Sequence, residues 1–481
     1  MNTFTNDIEN KVNDLAQTLK VQLAKMSSLS SGQELLEFEQ TLENLCQKAS
    51  GELLGFSLQT HLSNPELRRA AIDALHAHGK KWRSKGLREV RIRLASGIIV
   101  AVKTPYFVQD RRGQRGRKRK KRGKKGSGCY PVLKALGIHE RITPAAIEKL
   151  LRTVTICSSL AESREQLAKN GMKLNIKTIR TLAWEFGWRG IEAHLARLGE
   201  WFSKIADNDS PFAGQRVVVT IDGGRIRLRT PTKRGRPKKN GRRSFQTDWF
   251  EPRVICLYLM DDKGKKLAKI DSCWYDASLS DADESFELLE AHLTGLGIKK
   301  AKSVVFTSDG AKWIWSRVKK LWETLGVTEK VTEVLDFYHA AEHLHEIAEL
   351  RKDWTAAKRK KWFTKMRGIL REGRIEVLKE EVKSLATTRK KKEYQKKWEY
   401  FEGHQERMRY AQFSDANLPL GSGAVESAVR RIINQRLKGP GIIWLESSAQ
   451  AMLLLRAYLK AGRWDEFIQM MLANLSKMRE V

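Results

Sequence analysis

Val217-Val218-Val219-Thr220-Ile221-Asp222-Gly223-Gly224 is a run of β-branched residues that ends in an acid and two glycines. The same pattern of apolar residues, an acid and a glycine recurs in Val304-Val305-Phe306-Thr307-Ser308-Asp309-Gly310. An apolar, β-branched run bounded by glycine predicts a buried strand. An acid at the end of such a strand projects from the sheet edge, where the sites of open α/β sheets gather. The two stretches therefore predict a sheet with Asp222 and Asp309 at its edge.

A third acid, Glu426, lies in Gly421-Ser422-Gly423-Ala424-Val425-Glu426, which is typical of a helix start with Ser422 as its cap. Burying three like charges together is costly unless positive charge lies between them. Divalent cations that prefer oxygen ligands supply that charge. We therefore expect Asp222, Asp309 and Glu426 to bind two Mg²⁺ ions, for which Mn²⁺ can substitute.

The composition points to an anionic partner. The 481 residues include 90 Lys and Arg against 56 Asp and Glu, for a net charge of +34. Such an excess favours nucleic acid or an anionic surface. Apolar runs long enough to span a membrane are absent, as is a secretory signal at the first residues. The five scattered cysteines form no C-x-x-C pair, which favours a reducing compartment and argues against structural zinc.

Two basic segments, 111–125 and 233–243, interrupt the chain. The first cannot pack and favours phosphate contact, with a solvated linker as the alternative. The second contains Arg-Gly-Arg-Pro, which is similar to an AT-hook that enters a narrow minor groove; the alternative is an ordinary basic loop. The residues expected to contact DNA are Arg117, Lys118, Arg119, Lys120, Arg234, Arg236, Lys238, Arg430 and Arg431.

Periodicity gives the order of elements. Residues 1–84 are expected to be helical, as an oligomerisation arm or a small subdomain. A hairpin and basic linker follow at 85–128, and a helical region at 129–200 has helix–turn–helix spacing with Asn175 as a cap. Many helical hairpins share that spacing, so DNA reading by this element is left open. A first core part is expected at 201–345, a helical insertion at 346–412 and the completion of the core at 413–481.

Within the core, the first strand is expected to continue from Asp222 through 225–229, with further strands at 252–260 and 266–274. A helix, a strand, a second helix and a last strand follow. Consecutive strands allow an antiparallel meander, and helix-separated strands favour parallel crossovers. The sequence therefore predicts an α/β fold with a mixed sheet.

Residues from about 85 to 470, and best those of the catalytic half, resemble a known family. The order strand-Asp222, strand-Asp309-Gly310, strand-Asp336-Phe337-Tyr338-His339, helical insertion and Glu426 resembles the DDE transposases of bacterial insertion sequences. The Kra-type group, related to Mutator, P and hAT elements, is the most similar. The resemblance implies a ribonuclease-H-like core with Asp222, Asp309 and Glu426 as the catalytic acids. Asp336 and His339 match the D-x-x-H motif, although Asp336 also ends a strand and is a rival for the second acid.

The resemblance also implies an activity. A transposase would bind terminal inverted repeats, cut a strand and join the end to target DNA, as a homodimer or larger synaptic complex in the bacterial cytoplasm near the nucleoid. The alternatives are an inactive or domesticated transposase acting as a DNA-binding regulator, and a ribonuclease-H-like nuclease or resolvase. Trp313 or Trp315 could stack on an extruded base, but a core role on an amphipathic helix is favoured. His339, His343 and His345 could be metal ligands, but histidines on one helix are more often surface or core partners.

Overall fold

A computed structural model describes residues 2–77, 81–110, 128–231, 244–268, 272–385 and 391–476. They form two compact units, 1–190 with 468–481, and 191–467. Seven of the residues expected to contact DNA lie outside the described residues. They are Arg117, Lys118, Arg119, Lys120, Arg234, Arg236 and Lys238.

The first unit is helical around one small sheet. Its helices are α1 (Asn2–Ala24), α2 (Gly32–Ser63), α3 (Pro65–His76), α4 (Pro131–Ala135), α5 (Pro144–Ile156), α6 (Leu160–Lys169) and the start of α7 (Ile176–Trp201). Strands β1 (Trp82–Arg93), β2 (Ile99–Gln109) and β3 (Gly128–Cys129) pair in order and antiparallel. The predicted hairpin is therefore confirmed.

The predicted cap of α7 is also confirmed, because the backbone N–H of Thr178 donates to Asn175 Oδ1 at 2.8 Å. Helix α7 is longer than the helix expected there, since it extends well past Phe186 to Trp201. Leu62, Ile92 and Val132 are fully buried in the core that joins α2, β1 and α4. The hairpin is thus a structural part of this unit.

The second unit contains a five-stranded mixed sheet. Its strands are β4 (Arg216–Gly223), β7 (Arg253–Met260), β8 (Cys273–Ser278), β9 (Ser303–Ser308) and β10 (Val331–Leu335). The strand order is β10-β9-β4-β7-β8. Strands β4, β7 and β8 form an antiparallel meander, and β9 and β10 run parallel to β4. The expected mixed sheet, with its meander and parallel crossovers, is confirmed.

Two strand predictions were wrong in detail. Strand β4 ends at Gly223 instead of continuing, and Gly224 packs so closely against Ile433 that a Cβ there would lie 2.5 Å from Ile433 Cδ1. Beyond the break, β5 (Ile226–Pro231) pairs with β6 (Phe245–Phe250) in a separate two-stranded ribbon. The strand expected at 266–274 lies instead at Cys273–Ser278, where every residue is buried. The backbone of Lys266 pairs with Met260 in an isolated β-bridge.

Further helices of the second unit are α8 (Ala282–Gly295), α9 (Lys312–Leu325), α10 (Phe337–Glu349), α11 (Ala356–Arg371), α12 (Ile375–Leu385), α13 (Lys391–Glu402), α14 (Tyr410–Asp415), α15 (Gly423–Val429) and α16 (Glu446–Ala461). Helix α17 (Trp464–Ser476) belongs mostly to the first unit. Helix α15 packs on β4 and β7, and α16 on β8. The segment between β10 and Glu426 is helical, as predicted. In the described part of the chain, none of the helices has the length and apolar character that a membrane span requires.

A buried polar cluster joins three elements of the second unit. Asp276 Oδ2 on β8 lies 2.9 Å from His194 Nε2 on α7 and 2.8 Å from His292 Nε2 on α8. The second nitrogen of His194 contacts the Tyr458 hydroxyl at 3.0 Å. These contacts hold the pKa of Asp276 well below its usual range despite complete burial. The cluster therefore fixes the edge strand to its two helices.

Asp276→Asn removes the charge that both histidines contact. Because hydrogen bonds to a buried charge contribute about 1.5–3 kcal/mol each, we expect the free energy of unfolding to fall by at least about 2 kcal/mol. The measurement is urea unfolding, with Asp262→Asn, at an 89% exposed carboxylate, as the matched control. Equal midpoints for the two variants would show that the cluster contributes nothing.

Candidate functional site

The register of the sheet brings three aspartates to one edge. Val219 pairs with Phe306 across β4 and β9, so the same register three residues on places Asp222 beside Asp309. Leu335 pairs with Ser308 across β9 and β10, which places Asp336 on the other side of Asp309. The Ser308 hydroxyl donates to the Ile221 carbonyl at 2.9 Å and fixes the first pair of strand ends. The carboxyl edge of the three parallel strands is therefore acidic.

Asp222 and Asp309 have few donors from the protein. Asp222 Oδ1 accepts a hydrogen bond from the Gly223 N–H at 2.6 Å. Asp309 Oδ1 accepts one from the Ala311 N–H at 3.0 Å. Because each carboxylate has several more lone pairs, both retain free acceptor capacity for a cation.

Asp336 differs, because it has no solvent exposure and its oxygens accept four hydrogen bonds. Oδ1 accepts from the Tyr338 and His339 backbone N–H groups at 2.6 and 3.0 Å. Oδ2 accepts from the Ser422 N–H at 2.5 Å and from its hydroxyl at 2.6 Å. Asp336 thus caps α10 and holds the start of α15. Ser422 occupies the N-cap position of α15, as expected, but its side chain makes no cap hydrogen bond there and donates to Asp336 instead.

Glu426 reaches the edge from α15. Its Oε1 lies 3.9 Å from His339 Nδ1, and that nitrogen lies 3.6 Å from Asp336 Oδ1. The three side chains place ligand-type atoms within 4.8 Å of one another. The fold therefore brings together residues that the helical insertion separates in sequence.

The charges of this cluster are unbalanced. Burial and the neighbouring Asp309 carboxylate raise the pKa of Asp222 to about 6, and Glu426 adds to the effect. The Asp336 carboxylate raises the pKa of His339 to about 9, so His339 is cationic at neutral pH. Burial opposes ionisation of Asp336, but His339 and Ser422 outweigh it and lower its pKa to about 2. One imidazolium leaves Asp222 short of positive charge, so the oxygen-rich set fits hard divalent cations.

A cleft of about 850 Å³ opens beside Glu426 and His339. Its lining also includes Tyr338, Glu342 and Arg371. Tyr338 is 59% exposed, although the preceding Phe337 is buried. The cleft gives a large substrate access to the acidic edge.

Aromatic residues pack against the end of β9, next to Asp309 and Gly310. The Trp315 indole N–H donates to the Asp309 carbonyl at 2.5 Å, and its ring contacts Phe306 edge to face. Tyr400 on α13 packs against Gly310, where a Cβ would lie 2.0 Å from the Tyr400 ring. Trp315 is buried, which favours the core role over stacking on DNA. No local sequence pattern indicated Tyr400, because its contact with Gly310 depends on how the helical insertion folds back.

The remaining predicted residues are dispersed. Arg430 is exposed, whereas Arg431 donates to the Tyr275 hydroxyl at 2.5 Å. His343 contacts the Tyr400 ring at a centroid distance of 3.8 Å and pairs with Glu346 at 3.3 Å. Among the described residues, the groups that could hold a metal include His339 but neither His343 nor His345.

Comparison with known proteins adds little to this geometry. No protein-family model matches the chain, and no curated protein matches it. A solved structure, the Drosophila P element transposase strand transfer complex, gives a TM-score of 0.23 at 11% identity. The match covers 68% of this chain and 80% of that chain. A similarity of this size carries no argument about function.

Asp222→Asn tests the charge imbalance in the presence of EDTA. Because the folded-state pKa of about 6 exceeds the ordinary 3.8, the native state binds the extra proton and its stability falls as pH rises through this interval. We expect the variant to be about 1–2 kcal/mol more stable than the wild type at about pH 7, and equal at about pH 3.5. Urea unfolding at both pH values measures this, with Asp415→Asn, an exposed site, as the control. A gain that is the same at both pH values would contradict the assignment.

Proposed function

We propose that this chain is a DNA transposase with a ribonuclease-H-like core that cuts and joins DNA through Asp222, Asp309 and Glu426. The observation that supports the proposal is that Asp222 and Asp309 follow adjacent strands at one sheet edge, and that Asp309 and Glu426 both raise the pKa of Asp222. The strand order β10-β9-β4-β7-β8 and its directions support such a core. The net charge of +34 supports a polyanionic substrate.

In this proposal, the three acids hold two Mg²⁺ ions, or Mn²⁺ in their place. Ions held there would supply positive charge to the attacking and leaving oxygens of an in-line phosphoryl displacement. The protein contributes the orientation of the ligands. Trp315 fixes the Asp309 backbone, and Asp336 with Ser422 fixes the start of the helix that carries Glu426.

The same geometry favours Asp309 over Asp336 as the second acid. Both carboxylate oxygens of Asp336 already accept hydrogen bonds from protein donors, and its side chain is fully buried. Asp309 is partly exposed, and among the described residues its carboxylate accepts one hydrogen bond, from the Ala311 backbone N–H. We therefore propose that Asp309 is a metal ligand, and that Asp336 and His339 position Glu426.

Alanine at Asp222, Asp309 or Glu426 should abolish divalent-ion-dependent cleavage. We expect each rate to fall by about 100-fold or more, because a preorganised electrostatic group is lost. The assay follows nicking of a supercoiled plasmid that carries the DNA flanking the coding region, with a plasmid lacking that DNA as the substrate control. DNA affinity should persist, since most of the positive charge remains. Asp262→Ala serves as the protein control.

The outcomes separate the alternatives. Binding of flanking DNA without any cleavage by the wild type would favour a DNA-binding regulator. Preference for branched DNA over linear ends would favour a resolvase. Full activity of any one of the three variants would remove that acid from the site.

Cysteine substitutions distinguish the two rival acids. Mn²⁺ accepts a thiolate more readily than Mg²⁺, which requires hard oxygen ligands. We expect Asp309→Cys to lose activity in Mg²⁺ and to recover part of it in Mn²⁺. Asp336→Cys should be inactive with either ion, because its role is to accept four hydrogen bonds. Recovery by Asp336→Cys alone would reverse the assignment.

A further inference from the structure

The ribbon of β5 and β6 has two chemically distinct faces. The strands pair from Ile226 with Phe250 to Pro231 with Phe245, so alternate residues face opposite sides. Ile226 and Leu228 point inward and are almost fully buried. The opposite side, here called the arginine–aromatic face, comprises Arg227, Arg229, Phe245, Thr247 and Trp249.

Large aromatic rings are exposed on this face. Trp249 is 58% exposed and Phe245 is 47% exposed. The Arg227 guanidinium lies 5.7 Å from the Trp249 ring centroid, and that of Arg229 lies 5.8 Å from Phe245. Arg227 also donates to the Thr247 hydroxyl at 3.4 Å. The face thus alternates flat rings with flat cations, and both kinds of surface stack on nucleobases.

A small pocket adjoins Trp249. It has a volume of about 360 Å³, and its walls include Arg227, Leu437, Pro440 and Ile442. This volume lies in the range of pockets that accept small aromatic groups. Lys438 also lines the pocket and adds positive charge for a phosphate.

The position of the ribbon relates it to the acidic edge. Arg227, the partner of Trp249, follows Asp222 by five residues through Gly223 and Gly224. An extended chain of that length spans at most about 18 Å. Paired strands lie about 5 Å apart, so a DNA strand held at Trp249 is within about 23 Å, or about seven stacked nucleotides, of Asp222.

Charge selects between the possible occupants. None of the five residues of the arginine–aromatic face is acidic, and two are arginines. A second copy of this face would bring like charges together, whereas a DNA strand supplies both phosphates and bases. We propose that the arginine–aromatic face binds unpaired bases of the DNA strand next to the cleavage site, by stacking on Trp249 and Phe245. This inference rests on the proposed function, in that DNA is taken to be the substrate.

The test compares two fluorescently labelled duplexes, one fully paired and one with an unpaired tail of the same sequence. We expect the wild-type chain to prefer the tailed duplex. Trp249→Ala should weaken binding of the tailed duplex by about 10-fold, since one stacked base is lost, and leave the paired duplex almost unchanged. Trp249→Phe should retain part of the preference. Trp188→Ala, at another exposed tryptophan, is the matched control, and fluorescence anisotropy measures all affinities.

Several results would overturn the inference. One is the same tail preference in Trp249→Ala and in the wild type. Another is an equal loss of affinity for both duplexes. A third is a change from dimer to monomer in Trp249→Ala with the tail preference intact, which would assign the face to contact between copies.

Failure of the proposed function would look different. In that case the wild type would show no divalent-ion-dependent cleavage, while a Trp249-dependent tail preference would still support the stacking face.

Discussion

The carboxylate of Asp336 is fully buried and joins two segments 86 residues apart in the sequence. Its four hydrogen bonds come from the start of α10 and from Ser422, which precedes α15. Because an unsatisfied buried carboxylate would be costly, the loop at Ser422 must return to the end of β10 after the helical insertion. The position of Glu426 on the next turn follows from that constraint.

Asp222 and Asp336 lie on the same sheet edge but in opposite environments. Hydrogen bonds hold the pKa of Asp336 at about 2, whereas burial and Asp309 raise the pKa of Asp222 to about 6. Environments that shift the pKa values of two carboxyl groups in opposite directions give the two groups different roles. Asp336 stabilises the local structure, and Asp222 remains an anion that needs a cation. His339 links the two carboxylates that its imidazolium contacts, because Asp336 stabilises its positive charge and its Nδ1 lies 3.9 Å from Glu426 Oε1.

The ribbon and the acidic edge are consecutive parts of one strand path. Strand β4 ends at Gly223, and Gly224 packs closely against Ile433 before the chain enters β5. The pairing of β5 with β6 places Arg227 and Arg229 opposite Trp249 and Thr247. Gly223 and Gly224 therefore connect the strand that carries Asp222 to the strand that carries the arginines of the arginine–aromatic face.

The sequence by itself determined the strands that end in Asp222 and Asp309, the hairpin of the first unit and the Asn175 cap, and its net charge is the basis for expecting a polyanionic partner. These features depend on periodicity, capping and net charge, which act within a few residues or are summed over the chain. The break at Gly224, the displacement of β8 to Cys273–Ser278 and the partner of Ser422 were decided only by the tertiary structure. So was the separation of Asp309 from Asp336, because both acids follow apolar strands and look alike locally. Their difference arises from hydrogen bonds between distant segments, and the alternation that exposes Trp249 beside Arg227 depends equally on a strand pairing that no local pattern specifies.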